Sequence, residues 1–189
     1  MNVYMSRSFM EYAQEKITFG EARNICDPLV INLDSNIASV SDQMFFFDLD
    51  ADGKKDEMNV LSGGSGFLAL DKNGDGIIND GNELFGTQSG DGFRDLSMYD
   101  SDHNGWIDEA DEIFSKLKVW FVDGNGKNRL ISIKEAGIGA ICLQNQNTVF
   151  SLMGRSGGGT PNAYIRKTGV FLYENGMAGT IQHLDMVKH

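Results

Sequence analysis

Three acidic loops, each with oxygen-bearing side chains at positions 1, 3 and 5 and a glycine at position 6, constrain this chain of 189 residues more than any other feature. They are Asp48-Leu49-Asp50-Ala51-Asp52-Gly53, Asp71-Lys72-Asn73-Gly74-Asp75-Gly76 and Asp100-Ser101-Asp102-His103-Asn104-Gly105. Calcium takes about 6–8 oxygen ligands, so a short loop that wraps it must bring several carboxylates and carbonyls to one point. Glycine permits the sharp bend because it reaches positive φ without a steric penalty. The pattern predicts two to three bound Ca2+ ions. Without a counter-ion, each loop repels itself.

The flanks of the loops assign the ligands. Phe45-Phe46-Phe47 leads into loop one and Met58-Asn59-Val60-Leu61 leaves it, which predicts a metal-binding hairpin using Asp48, Asp50, Asp52 and Asp56. Loop two offers Asp71, Asn73, Asp75 and the carbonyl of Ile77, and loop three offers Asp100, Asp102, Asn104 and the carbonyl of Trp106. An EF-hand closes on a bidentate Glu at position 12; here that position holds Asn82 and Asp111, with Glu83 and Glu112 one residue later. A one-residue stretch brings Glu83 onto the ion in loop two, and Asp111 serves in loop three. Asp80 and Asp108 are the second choices.

Ile78 and Ile107 occupy position 8, where paired EF-hand loops form a small β-bridge, so loops two and three are expected side by side. Phe93, Leu96 and Tyr99 before loop three, and Ile113, Phe114, Leu117, Trp120 and Phe121 after it, fall at helical spacing and predict a helix on each side. Asp123-Gly124-Asn125-Gly126-Lys127 reads as a damaged fourth loop, with an ammonium where a carboxylate is needed. A capping box, Ser132 and Glu135, then predicts a short helix.

Leu29-Val30-Ile31-Asn32-Leu33 is a short apolar run of buried-strand type. Residues 138–189 turn to β character, with a glycine-rich turn at Gly157-Gly158-Gly159 and an Asn175-Gly176 hairpin signal. The expected fold class is α+β, with EF-hand-like calcium loops and short helices packed on an antiparallel β-sheet. Three segments are expected: residues 1–26, including a helix that ends near Gly20 or Asn24; a calcium-binding module over 27–143; and strands over 144–189 that complete the same domain.

A formal charge of −11 argues against nucleic acid or anionic membrane as partners, since both demand a basic face. Cys26 and Cys142 are too few for a disulfide framework and lie in no metal or redox motif, so two unpaired thiols are expected. No apolar run is long enough for a membrane span, and residues 1–20 lack the apolar core of a signal peptide.

The order Asp27-Pro28-Leu29-Val30-Ile31-Asn32-Leu33, Phe47 to Gly53, Leu70 to Gly86 with its Glu83-Leu84-Phe85-Gly86 ending, Tyr99 to Asp111, and Leu117-Lys118-Val119-Trp120 resembles the calcium-binding modules of bacterial RTX-type secreted proteins. The resemblance spans residues 27–143. It extends to the self-processing modules of iron-regulated RTX proteins, which cleave themselves at an Asp-Pro bond when calcium binds. That resemblance implies Asp27 as the attacking group, whose carboxylate forms a cyclic anhydride with its own carbonyl, open to capture by a lysine amine. After Pro28, however, the chain continues Asn32-Leu33-Asp34-Ser35-Asn36-Ile37, without the acidic glycine loop of those modules.

The leading expectation is a non-catalytic module whose bound Ca2+ stabilises the fold, within a secreted or surface protein. Beside it stand calcium-triggered self-cleavage at Asp27-Pro28 and a calcium sensor that exposes an apolar surface to a protein partner.

Overall fold

The computed structural model describes residues 25–154 and 161–188. The helix expected before Asn24 and the turn expected at Gly157–Gly159 lie outside the described residues. Eleven strands run through them: β1 (Ile25–Cys26), β2 (Leu29–Asn32), β3 (Ser39–Phe47), β4 (Asp56–Ser62), β5 (Ser65–Leu70), β6 (Trp106–Ile107), β7 (Leu117–Val122), β8 (Asn128–Ser132), β9 (Ile138–Leu152), β10 (Ala163–Tyr173) and β11 (Ala178–Val187). One short α-helix, α1 (Gly92–Ser97), joins loops two and three.

Nine strands form one sheet in the order β6-β9-β10-β11-β2-β5-β7-β8, with β1 also paired to β11. Every pairing in it is antiparallel. β3 and β4 form a separate hairpin. It covers one face of the sheet, where Phe45, Phe47, Met58 and Val60 join Val30, Phe67, Trp120, Leu184 and Met186 in one core. Trp120 is its centre, with the rings of Phe47, Phe67 and Phe45 at 4.7, 5.5 and 6.1 Å. The opposite face carries a second core of Leu29, Ile31, Leu68, Phe85, Phe93, Leu96, Ile107, Leu117, Val119, Ile141 and Phe171. Burying each such side chain contributes roughly 1.5–3 kcal/mol.

This sheet overturns the α+β expectation and the EF-hand helices with it: the described residues are mostly strand. The misread segment is 113–121. Ile113 leads into a 3-10 turn at Phe114–Lys116 and the chain then enters β7, not a helix. In β7, Leu117 and Val119 face the second core while Trp120 and Val122 face the first. A strand buried on both faces is apolar at nearly every position, so it satisfies an i, i+3, i+4 pattern without being helical. On the other side of loop three, α1 ends at Ser97, before Tyr99. After loop two only a 3-10 turn, Gly81–Glu83, forms.

The expected bridge between Ile78 and Ile107 is also absent. Ile107 pairs with Ile141 of β9, and the two isoleucines belong to different cores. Loop two instead lies against loop one, where Gly81 N–H donates to the Asp48 carbonyl (2.8 Å). The Ser132–Glu135 capping box forms, with Glu135 N–H donating to Ser132 Oγ (3.1 Å) and Ser132 N–H to Glu135 Oε2 (2.7 Å), but it closes a single turn before β9. The expected fourth loop is the tight turn between β7 and β8, whose Asp123 carboxylate accepts from Asn125 and Lys127 N–H.

Candidate functional site: three acidic loops and a buried Asp-His-Asp cluster

The three acidic loops share one backbone. Position 4 is left-handed in each, at Ala51 (φ 56°), Gly74 (φ 73°) and His103 (φ 58°), and so is the position-6 glycine, at Gly53, Gly76 and Gly105. Ala51 and His103 bear side chains in a region where L-residues are uncommon, so the loops hold them there against a local cost. What holds them is the first Asp of each loop: its Oδ2 accepts from the position-6 N–H of Gly53 (2.9 Å), Gly76 (2.8 Å) and Gly105 (3.0 Å).

Loops two and three close in the same way. Glu83 Oε1 accepts from Lys72 N–H (2.9 Å) and Oε2 from Asn79 N–H (2.7 Å). Asp111 Oδ1 accepts from Ser101 N–H (2.7 Å) and Oδ2 from Asp108 N–H (3.1 Å). Both pairs of donors are positions 2 and 9, and both carboxylates are buried. Glu83 sits one residue further along than Asp111, and its extra methylene makes up the difference. Of the sequence candidates, Asp71, Asn73 and Asp75 therefore line one loop with Glu83, and Asp100, Asp102 and Asn104 line another with Asp111. Carboxylate oxygens of Asp100, Asp102 and Asp111 lie within 4.8 Å of one another. Asp80 and Asp108 instead accept from backbone N–H groups two residues on, at Asn82 and Ala110. Glu112 is exposed and pairs with Lys116.

Loop one differs. Asp48, Asp50 and Asp52 converge within 4.8 Å, but Asp50 and Asp56 also face the ammonium of Lys188, at 2.5 and 3.0 Å. Its hydrogen bond is the main reason that the Asp50 carboxyl is held below the usual range. The protein thus supplies a cation of its own to this loop.

A further cluster lies in the sheet and combines one residue flagged in the sequence with two that were not. Asp27 Oδ1 is 3.9 Å from His183 Nε2, which is 4.0 Å from Asp185 Oδ1. Arg166 forms an ion pair with the other oxygen of Asp185. His183 is 3% exposed, and neither of its ring nitrogens has a hydrogen-bond partner among the described residues. Burial raises Asp27, but His183, Asp185 and Arg166 together outweigh it and hold its carboxyl below the usual range. Asp185 is pushed up to about 7, first by burial and then by the Asp27 carboxylate, against the opposing pull of Arg166. Paired carboxyls whose environments drive them apart leave one ionised and one protonated near neutrality. The missed signal was a His and an Asp two residues apart within an apolar run that pairs as a strand.

Cys26 and Cys142 are both buried and free. Burial pushes the Cys26 thiol up to about 11. No helix among the described residues is long and apolar enough to cross a membrane.

A largely antiparallel sheet that carries acidic loops on its connections, and an Asp-Pro step against its central strand, defines the class of module. The chain belongs to the SPM domain family, which it matches over residues 29–186. It is 33% identical over 155 residues to the iron-regulated protein FrpA of Neisseria meningitidis serogroup C, covering 71% of this chain and 14% of that protein. The chain thus spans about a seventh of its relative, and the family match begins one residue after Pro28.

Proposed function

We propose that this chain is a calcium-binding SPM module in which bound Ca2+ stabilises the fold, within a bacterial secreted or surface protein. The observation that carries this reading is the equivalent closure of loops two and three by Glu83 and Asp111, two buried carboxylates at different sequence offsets that reach the same two backbone positions. Asp71, Asn73, Asp75 and Glu83 with the Ile77 carbonyl would hold one ion, and Asp100, Asp102, Asn104 and Asp111 with the Trp106 carbonyl another. Asp48, Asp50, Asp52 and Asp56 would hold a third in competition with Lys188. A ligand that binds only the folded state adds about 2.7 kcal/mol at a hundredfold excess over Kd.

A second reading, calcium-triggered cleavage of Asp27-Pro28, has its own support. Glu83 closes loop two, and the next three residues run to the scissile bond. Phe85 carbonyl accepts from Leu29 N–H (3.0 Å), and the Asp27 carbonyl packs against Gly86, where a Cβ would come within 2.1 Å of it. An ion that fixes Glu83 would fix this contact.

One experiment addresses both. The protein is stripped with a chelator, returned to millimolar calcium, and followed by thermal unfolding and intact mass over a day. A higher melting temperature is expected; no change in melting temperature overturns the calcium reading. Release of residues 1–27, abolished in Asp27→Asn, is the outcome expected of self-processing, and an unchanged mass overturns it.

A further inference from the structure

The strand register around the Asp-Pro step is informative. Cys26 pairs with Met186 through β1, and Leu29 pairs with His183 through β2. Between them, residues 27 and 28 belong to neither strand. The same antiparallel register sets Asp27 opposite Asp185 and Pro28 opposite Leu184, and Leu184 N–H donates to the Pro28 carbonyl (3.1 Å). Residues directly opposite on an antiparallel pair project to the same face, and so do residues two apart on one strand. The side chains of Asp27, Asp185 and His183 therefore project to one face of the sheet at the Asp-Pro step, with His183 Nε2 3.9 Å from Asp27 and 4.0 Å from Asp185.

Resting on the self-processing reading, we infer that Asp185 is the acid that delivers a proton to the Pro28 nitrogen, with His183 and Arg166 as its positioning residues. In this step the ionised Asp27 carboxylate forms a bond from Oδ to its own carbonyl carbon. The bond from that carbon to the Pro28 nitrogen then breaks. The nitrogen takes the proton of Asp185 and leaves as a secondary amine, while Asp27 is left as a cyclic anhydride that water opens to two carboxyl groups. Asp185 becomes a carboxylate, which Arg166 neutralises. No oxidant or co-reactant beyond water is needed.

The surroundings suit this division of labour. An amide nitrogen is a poor leaving group until it is protonated, so an acid within reach of it is required. The groups facing Asp185 are Asp27 between β1 and β2, His183 on its own strand, and Arg166 and its register partner Tyr164 on β10. Further out, the Lys167–Asp91 pair (2.6 Å) balances its own charge. The opposite displacements of Asp27 and Asp185 from the ordinary carboxylate range match the roles of nucleophile and acid.

The test is the rate of release of residues 1–27 in millimolar calcium, by intact mass, for the unaltered chain, Asp185→Asn and Asp185→Glu, each across about pH 5 to 9. The unaltered chain should lose rate above about pH 7, roughly tenfold per unit. Asp185→Asn should cleave at least about a hundredfold more slowly while keeping its calcium-dependent rise in melting temperature. Asp185→Glu should restore part of the rate with a displaced alkaline limb. Cleavage by the unaltered chain together with an unchanged rate and profile in Asp185→Asn overturns the inference and leaves self-processing standing. Absence of cleavage in the unaltered chain overturns both. Should Asp185→Asn fail to fold, the profile of the unaltered chain decides: a rate that does not fall above about pH 7 overturns the inference.

Discussion

Loop one and loop two share the same pattern of oxygen-bearing residues and position-6 glycine, lie against each other, and solve the same electrostatic problem differently. Loop two is closed by a second anion, Glu83, which ties its two ends through backbone N–H groups and leaves the acidic side chains without a cation from the described residues. Loop one is closed by the Lys188 ammonium, from the end of β11, between Asp50 and Asp56. A run of aspartates at alternate positions thus says that a positive charge belongs there. It does not say whether the charge is a metal or a side chain.

The largest effect expected from this contrast is in loop two. Glu83→Gln should remove most of the stabilisation by the ion bound there, a fall of about 5–10 °C in the calcium-induced rise of the melting temperature. An undiminished rise would break the comparison. Lys188→Met should cost about 1–2 kcal/mol without calcium, a discounted figure because Asp50 is partly exposed, and millimolar calcium should recover part of it. Equal destabilisation with and without calcium, measured by urea unfolding, would mean that loop one takes no ion.

A smaller effect concerns pH. The Asp50 carboxyl is depressed by its hydrogen bond from Lys188, so its contribution to stability is present above about pH 4 and is lost as pH falls through its lowered folded value. Burial pulls the Lys188 ammonium down, but its bonds to Asp50 and Asp56 together outweigh this and raise it, so its share is present at neutral pH and lost only as pH rises through its raised value. In Lys188→Met the acid-dependent part should vanish from the urea midpoint measured between about pH 2 and 5. The smallest effect is that of Glu112→Gln, which removes an exposed carboxylate whose partner is Lys116 and should leave the melting temperature and its calcium response unchanged. A lost response would mean that Glu112, and not Asp111, closes loop three.

How far the sequence could be read follows from the same elements. The loops were legible because left-handed backbone at position 6 needs glycine and an aspartate at position 1 can accept from it, and these requirements are local. The closing residues were legible by reach, since Glu83 is longer than Asp111 by one methylene and sits one residue later. The hairpin around loop one was legible from Phe45-Phe46-Phe47, where Phe46 is exposed between two buried rings. The helices after the loops were not. β7 lies between two cores, and its apolar residues fit either period. Nor could the Lys188 contact or the Asp27–His183–Asp185 cluster be found from spacing, because the first depends on Lys188 bridging Met58 of β4 and the second on β11 lying next to β1 and β2.

That adjacency governs when the molecule can be assembled. Cys26 and Met186 are register partners 160 positions apart, and β11 lies between β2 and β10 in the middle of the sheet. Pairing over such separations closes large loops, and chains dominated by it fold slowly. A growing polypeptide that has reached loop three has all its acidic turns but neither His183 nor Asp185, so the surroundings of the Asp-Pro bond do not exist until the last strand is made. Synthesis itself then sets a delay of about 160 residues, at roughly 5–20 residues per second, between the appearance of that bond and the completion of the groups around it.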